Sequence, residues 1–328
     1  MADTPELSDA KRALLAKYLG GDLAQAAPRT ETDAASAQTE PAPVPALSDL
    51  RSSVLPIQVG GSKPPFFFSH VHVEGGAYYC FTLSRALGPD QPFYVLEPYR
   101  LDDLETLPTF ETMAADYVES LRRIQPEGPY LLGGFCGGAL IAFEMAQQLH
   151  AQGQPVDLLL MVEPRAGPDF VRMISARLMG NLVRGVGTLA RLRPERQIDL
   201  FLLLRHSYRL VRYRLLQNRR YNTNYKNWMP LPLAPTRAFL RQDWISAFVW
   251  MVSLYRPRRY PGKLTYLWAQ DERGSQRAGT KGFVSEAKEV EIQFIRGNRE
   301  SCRNEYVDDM VSHMRACVDA TARTPASR

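Results

Sequence analysis

Residues 131–140 read Leu131-Leu132-Gly133-Gly134-Phe135-Cys136-Gly137-Gly138-Ala139-Leu140. The apolar run up to Gly133 reads as a strand. Residues 138–149 have helical spacing, so the chain must pass from strand to helix within a few residues. Gly134, Cys136 and Gly138 fit the pattern G-x-S-x-G with Cys in place of Ser. Such a turn is so tight that the flanking positions must be nearly free of side chain, and the central residue is thrust above the sheet. The N–H of Gly137 then lies at a helix N-terminus, where it can hold a developing oxyanion. The alternative is a structural Cys buried in a Gly-rich turn. A phosphate loop is excluded, since no Gly-Lys-Ser/Thr ending follows.

Working outward, β-rich runs alternate with helical periods. Strands are expected at 54–59 (an edge), 66–70, 93–96, 130–133, 157–162, 263–269 and 289–295. Helices are expected at 110–124, 138–149 and 305–322. This alternation predicts a mostly parallel α/β sheet. Residues 168–255 break the rhythm with Arg-rich helical segments at 169–180, 196–220 and 244–254, which read as a helical lid inserted in the α/β domain. In the middle segment Leu200, Leu203 and Leu204 alternate with Arg205, Arg209 and Arg212. The loop His72-Val73-Glu74-Gly75-Gly76 follows the 66–70 strand. Its glycines let backbone approach a substrate, so the N–H of Val73 or Glu74 is the candidate second oxyanion donor, and His72 reads as structural.

The first 49 residues differ in kind. Residues 7–19 (LSDAKRALLAKYL) pattern as a short helix capped by Ser8 and ended by Gly20-Gly21, giving a docking-type segment over 1–21. Residues 22–49 are rich in Ala, Pro and Thr and read as a flexible linker. The main domain is expected over 50–328.

The chain has 328 residues, 45% hydrophobic and 23% charged, enough for a sizeable core and too apolar for disorder throughout. No apolar run approaches the roughly 20 residues of a membrane span, and the first residues lack the pattern of a secretory signal. Four scattered cysteines give no CxxC pair and no zinc spacing, so no metal site is expected, and a reduced, cytoplasmic setting is. The net charge of +5 hides an asymmetry, because residues 165–259 hold 19 basic side chains against 4 acidic ones. Such a block suits an acidic or phosphate-bearing partner, or consists of solvated Arg-rich helix faces. Nucleic acid is not the expected partner, since no nucleic-acid motif accompanies the arginines.

Several segments in order (PPFFFSHVHVEGG, LGPDQPFYVLEP, YLLGGFCGGALIAFEMAQQL, DLLLMVEP and YRPRRYPGKLTYLWAQDE) resemble the thioesterase domains of nonribosomal peptide and polyketide synthases over about residues 50–322. The resemblance implies an α/β-hydrolase fold with a helical lid. It also implies a substrate delivered as an acyl or peptidyl group on the phosphopantetheine arm of a carrier protein. No cofactor held by the chain itself is implied. Partners would be the carrier protein and synthase modules. Carrier proteins are commonly acidic, which would suit the basic block, with Arg212 and Arg214 as candidate docking residues. The family's acid follows the strand after the nucleophile helix, here Glu163, with Asp271 after the next strand as the alternative. The family's catalytic His falls where this chain reads Gly297-Asn298-Arg299, so Arg299 stands in its place. His150, His206 and His313 are poorly placed to replace it.

An arginine stays protonated and cannot act as a general base. A serine beside it would be stranded, but a cysteine would not. A guanidinium and a helix N-terminus both favour thiolate, and a thiolate attacks a thioester without a base. Deacylation by water does need proton removal. Acyl transfer or aminolysis is therefore expected over hydrolysis. The rival expectation is a catalytically inactive scaffold that binds a carrier protein, with Arg299 paired to Glu163 as a buried salt bridge.

Overall fold

The computed structural model describes residues 51–70, 78–101, 106–164, 168–216, 231–272 and 287–323, all within the unit Pro45–Arg328. The expected docking segment and linker, 1–49, lie outside the described residues, as do Val73 and Glu74.

Seven strands form one sheet. They are β1 (Val54–Gln58), β2 (Phe66–His70), β3 (Phe93–Leu96), β4 (Tyr130–Phe135), β5 (Val156–Val162), β6 (Tyr260–Ala269) and β7 (Ala287–Ile295). Their order is β1-β3-β2-β4-β5-β6-β7. Only the β1–β3 pair is antiparallel, which agrees with β1 as the edge. Every residue of β2, β3 and β4 is buried. That is the mark of strands covered on both faces, which read as continuous apolar runs.

The period of two explains the two core layers. Phe67, Tyr94, Leu132 and Leu159 point into one, against α2 (Phe110–Ile124) and α3 (Gly137–Ala151). Phe66, Phe68, Leu131 and Leu160 point into the other, against α1 (Tyr78–Leu87) and α9 (Val307–Arg323). Thr109 starts α2 by accepting the N–H of Thr112 at 3.0 Å, one of the orphan donors of a helix start. The α1 helix was not anticipated from sequence. The expected closing helix is two pieces, α8 (Ser301–Asn304) and α9.

Among the described residues between β5 and β6 run four helices: α4 (Pro168–Leu189), α5 (Pro194–Leu216), α6 (Arg237–Arg241) and α7 (Trp244–Leu254). The expected helix at 169–180 is thus longer. Val183, Ile198, Phe201, Leu202, Leu240 and Trp250 give this segment a small core of its own. It is anchored to the sheet domain by α7. Phe248 packs 5.8 Å from Phe110, and the Trp244 indole donates to Tyr99 O at 2.9 Å.

The arginines here follow neither expected pattern in full. Arg184 lies 3.8 Å over the Trp250 ring and donates to Ser253 Oγ at 3.1 Å, and burial pulls its pKa down to about 10. Arg205 donates to Ser246 Oγ at 2.8 Å, Arg209 pairs with Asp243 at 2.5 Å, and Arg241 pairs with Asp199 at 3.0 Å. Several of the block's charges are internal ties between helices, not free positive surface. Arg212 and Arg214 lie near the end of α5, and their side chains fall outside the described residues.

Candidate active site

The turn at Cys136 carries backbone strain. Its φ of 59° and ψ of −117° put a non-glycine residue in a region that L side chains rarely occupy. The strain is held from both sides. The Cys136 N–H donates to Val162 O at 2.9 Å, and α3 begins at the next residue. A Cβ on Gly134 would lie 2.4 Å from the Gly138 carbonyl, and one on Gly138 would lie 2.2 Å from Ser69 O. The two glycines are therefore required by close backbone approach, as the sequence pattern implied. Cys136 is the one cysteine of the four that is not buried, and the first-turn N–H groups of α3, Gly137's included, have no partner inside the helix.

Glu163 follows β5 directly, at φ 45° and 3% exposed. Its N–H bonds Leu267 O at 2.9 Å, and its Oε1 accepts the N–H of Ala269 at 2.5 Å. The carboxylate is thus fixed against the end of β6.

Arg299 reaches this pair from the turn after β7. Its Nη2 lies 2.6 Å from Cys136 Sγ and 3.4 Å from Glu163 O. The turn is built to aim it. Gly297 has φ +81°, and a Cβ there would lie 2.3 Å from Ser301 Oγ. Asn298 Oδ1 accepts the N–H groups of Glu300 and Ser301 at 2.9 and 3.0 Å, an Asx turn that starts α8. Cys136, Glu163 and Arg299, far apart in sequence, are brought together. Asp271, the alternative acid, is exposed at the end of β6 and meets this turn through its backbone, N–H to Gly297 O at 3.1 Å.

The histidines set aside from sequence do lie elsewhere. His206 Nε2 contacts Pro232 O at 2.8 Å, and His313 Nδ1 contacts Gln293 Oε1 at 2.9 Å. His150 is at the far end of α3, 14 residues beyond Cys136 and so roughly 20 Å along the helix. Sequence reasoning overlooked His70. It ends β2 in register with Phe135, and its ring faces Tyr79, with Nδ1 3.0 Å from the phenol oxygen. Burial holds the Tyr79 hydroxyl well above its ordinary pKa. Arg303 on α8 was missed too, and its guanidinium lies 4.9 Å from the Phe135 ring centre. The four-residue spacing from Arg299 is the signal that could have found it. Its neighbour Cys302 is buried and pushed up to about 12, by desolvation first and Glu163 second.

Comparison with known proteins agrees with the geometry. Residues 66–173 match the family model described as Thioesterase domain. The chain is 41% identical over 112 residues to a dimodular nonribosomal peptide synthase of Bacillus subtilis, covering 34% of this chain and 5% of that protein. It is 41% identical over 115 residues to a malpinin synthetase of Mortierella alpina, covering 34% of this chain and 2% of that protein. A polyketide synthase of Bacillus subtilis is 34% identical over 111 residues, covering 34% and 4%. The chain thus spans a small fraction of the curated relatives it matches. Among solved structures, the NocB thioesterase domain superposes with a TM-score of 0.51 at 23% identity, covering 79% of this chain and 95% of that one. That likeness supports the fold. Over residues 66–173, about a third of its length, the chain is thus similar to the thioesterase domains found in nonribosomal peptide and polyketide synthases.

Proposed function

We propose that Cys136 takes an acyl or peptidyl group from the phosphopantetheine thioester of a carrier protein and passes it to an acceptor other than water. The contact that carries this reading is Arg299 Nη2 at 2.6 Å from Cys136 Sγ. A guanidinium N–H on sulfur favours thiolate, as does the start of α3. The thiolate attacks the thioester carbonyl. The oxyanion is met by the Gly137 N–H and by a donor from Val73 or Glu74. Collapse breaks the bond to the pantetheine sulfur, which leaves as thiolate and takes its proton from solvent. Exchange of one thioester for another is nearly balanced in energy.

Arg299 cannot remove a proton from water, and the His70 ring is turned to Tyr79. Hydrolysis of the S-acyl group is therefore slow, and a thiol or a deprotonated amine is the better acceptor. The phosphopantetheine belongs to the carrier protein. The helices between β5 and β6 would act as the lid, with Arg212 and Arg214 facing the carrier. Incubation with an acyl-pantetheine thioester followed by mass spectrometry tests the proposal. Mass gained at Cys136 that persists in water and is discharged by added amine or thiol supports it. An unmodified Cys136, together with slow alkylation near neutral pH, would leave the carrier-binding scaffold.

A further inference from the structure

A second guanidinium, that of Arg303, lies against the ring of the residue before Cys136, and none of the chemistry above uses it. Arg303 lies four residues after Arg299, and the two side chains reach adjacent residues of the turn, Arg299 at Cys136 and Arg303 at Phe135. The Arg303 guanidinium sits 4.9 Å from the ring centre of Phe135, the residue before the nucleophile, and 5.8 Å from that of Tyr79. These aromatic faces hold a cation in place without neutralising it. Its Nε is enclosed and has no acceptor. Among the described residues Arg303 meets no carboxylate.

The charge of the site changes over the reaction. With Cys136 ionised, the Arg299 guanidinium meets the anionic sulfur, while Arg303 lies against the ring of the preceding residue. Acylation removes the charge on sulfur and makes the site more positive by one unit. A partly enclosed guanidinium without a counter-ion is costly, and a carboxylate restores the balance through a paired, directional contact.

We propose that Arg303 recognises a carboxylate carried by the acyl chain, so that carboxylated acyl groups are the preferred cargo of Cys136. The carboxylate takes no part in bond making. The sulfur still attacks the thioester carbon, and the pantetheine thiolate still leaves. The proposal rests on the acyl-transfer reading above, but its test separates the two.

Two paired measurements are made on the full chain and on Arg303→Met and Arg303→Lys. The first compares alkylation of Cys136 by iodoacetate and by iodoacetamide. Their ratio cancels any change in thiolate population and reports the local cation without acyl transfer. It should fall at least fivefold in Arg303→Met and recover in part in Arg303→Lys. The second compares glutaryl- and valeryl-pantetheine, five-carbon chains with and without a terminal carboxylate. The glutaryl donor should acylate Cys136 at least tenfold faster in the unaltered chain, an advantage that Arg303→Met removes. Acylation of Cys136 by both donors at equal rates in the unaltered chain would overturn the proposal, whatever the variants do. So would an alkylation ratio indifferent to position 303. Failure of both donors with an alkylation ratio that responds to Arg303 would defeat acyl transfer while leaving the anion site standing.

Discussion

Two regions of the chain use polar groups in opposite ways. At the C-terminal end of the sheet, polar and charged groups converge on one sulfur. Strain at Cys136 and Glu163 is tolerated there because β4, β5 and β6 fix the backbone on all sides. In the helices between β5 and β6 the arrangement is inverted. Arg184, Arg205, Arg209 and Arg241 turn inward to bind helix to helix. Leu178, Leu182, Val186 and Leu189 stand exposed along α4. Rigid positioning in the first region follows from backbone hydrogen bonds and close packing. Cohesion in the second comes from a small apolar core supplemented by a few long polar side chains, and these can be exchanged singly.

The largest expected contrast is in thiol reactivity. Burial pushes Cys80 and Cys302 up to about 12 and Cys317 up to about 11, so their thiolates are at least about a hundredfold scarcer near neutral pH than those of an ordinary thiol. Alkylation at pH 7 should therefore enter at Cys136 alone, as peptide mapping would show. The same shifts set the sign of an alkaline effect. A folded-state pKa above the ordinary value gives stability that is complete below about pH 9 and is lost as pH rises towards 12.

Next in size is the turn itself. Gly138→Ala drives a methyl group into the Ser69 carbonyl and should cost roughly 3 kcal/mol or more in a urea titration. The helical segment should respond less. Arg209→Met leaves Asp243 unpaired in a site where both side chains are less than one-fifth exposed, for an expected loss of about 2 kcal/mol. Smallest of all is Leu182→Gln, which should change stability by no more than about 0.5 kcal/mol because that leucine is already 65% exposed. A large loss there would show that the leucine is covered in solution.

The sheet and the tight turn at Cys136 were legible in the sequence because both leave local marks. Strands buried on two faces read as unbroken runs such as Phe66-Phe67-Phe68, and a strained turn leaves Gly134 and Gly138. Arg299 was legible as an occupant of a family position. Arg303 and His70 were not, since their significance depends on Phe135 and Tyr79 meeting them from other elements. The inward arginines were hidden for a similar reason. Composition counts charges but does not say which way a long side chain folds, and an Arg stem buries as readily as it solvates. The α1 helix over Tyr78–Leu87 carries no side-chain start signal strong enough to have announced it.

The central claim is that Arg299 keeps Cys136 ionised, and the pH profile of Cys136 alkylation tests it most directly. In the unaltered chain the rate should hold its plateau well below the roughly 8.5 of a free thiol. In Arg299→Met the midpoint should move up towards that value, with the plateau rate at high pH largely preserved. Coincident profiles for the two proteins would contradict the account.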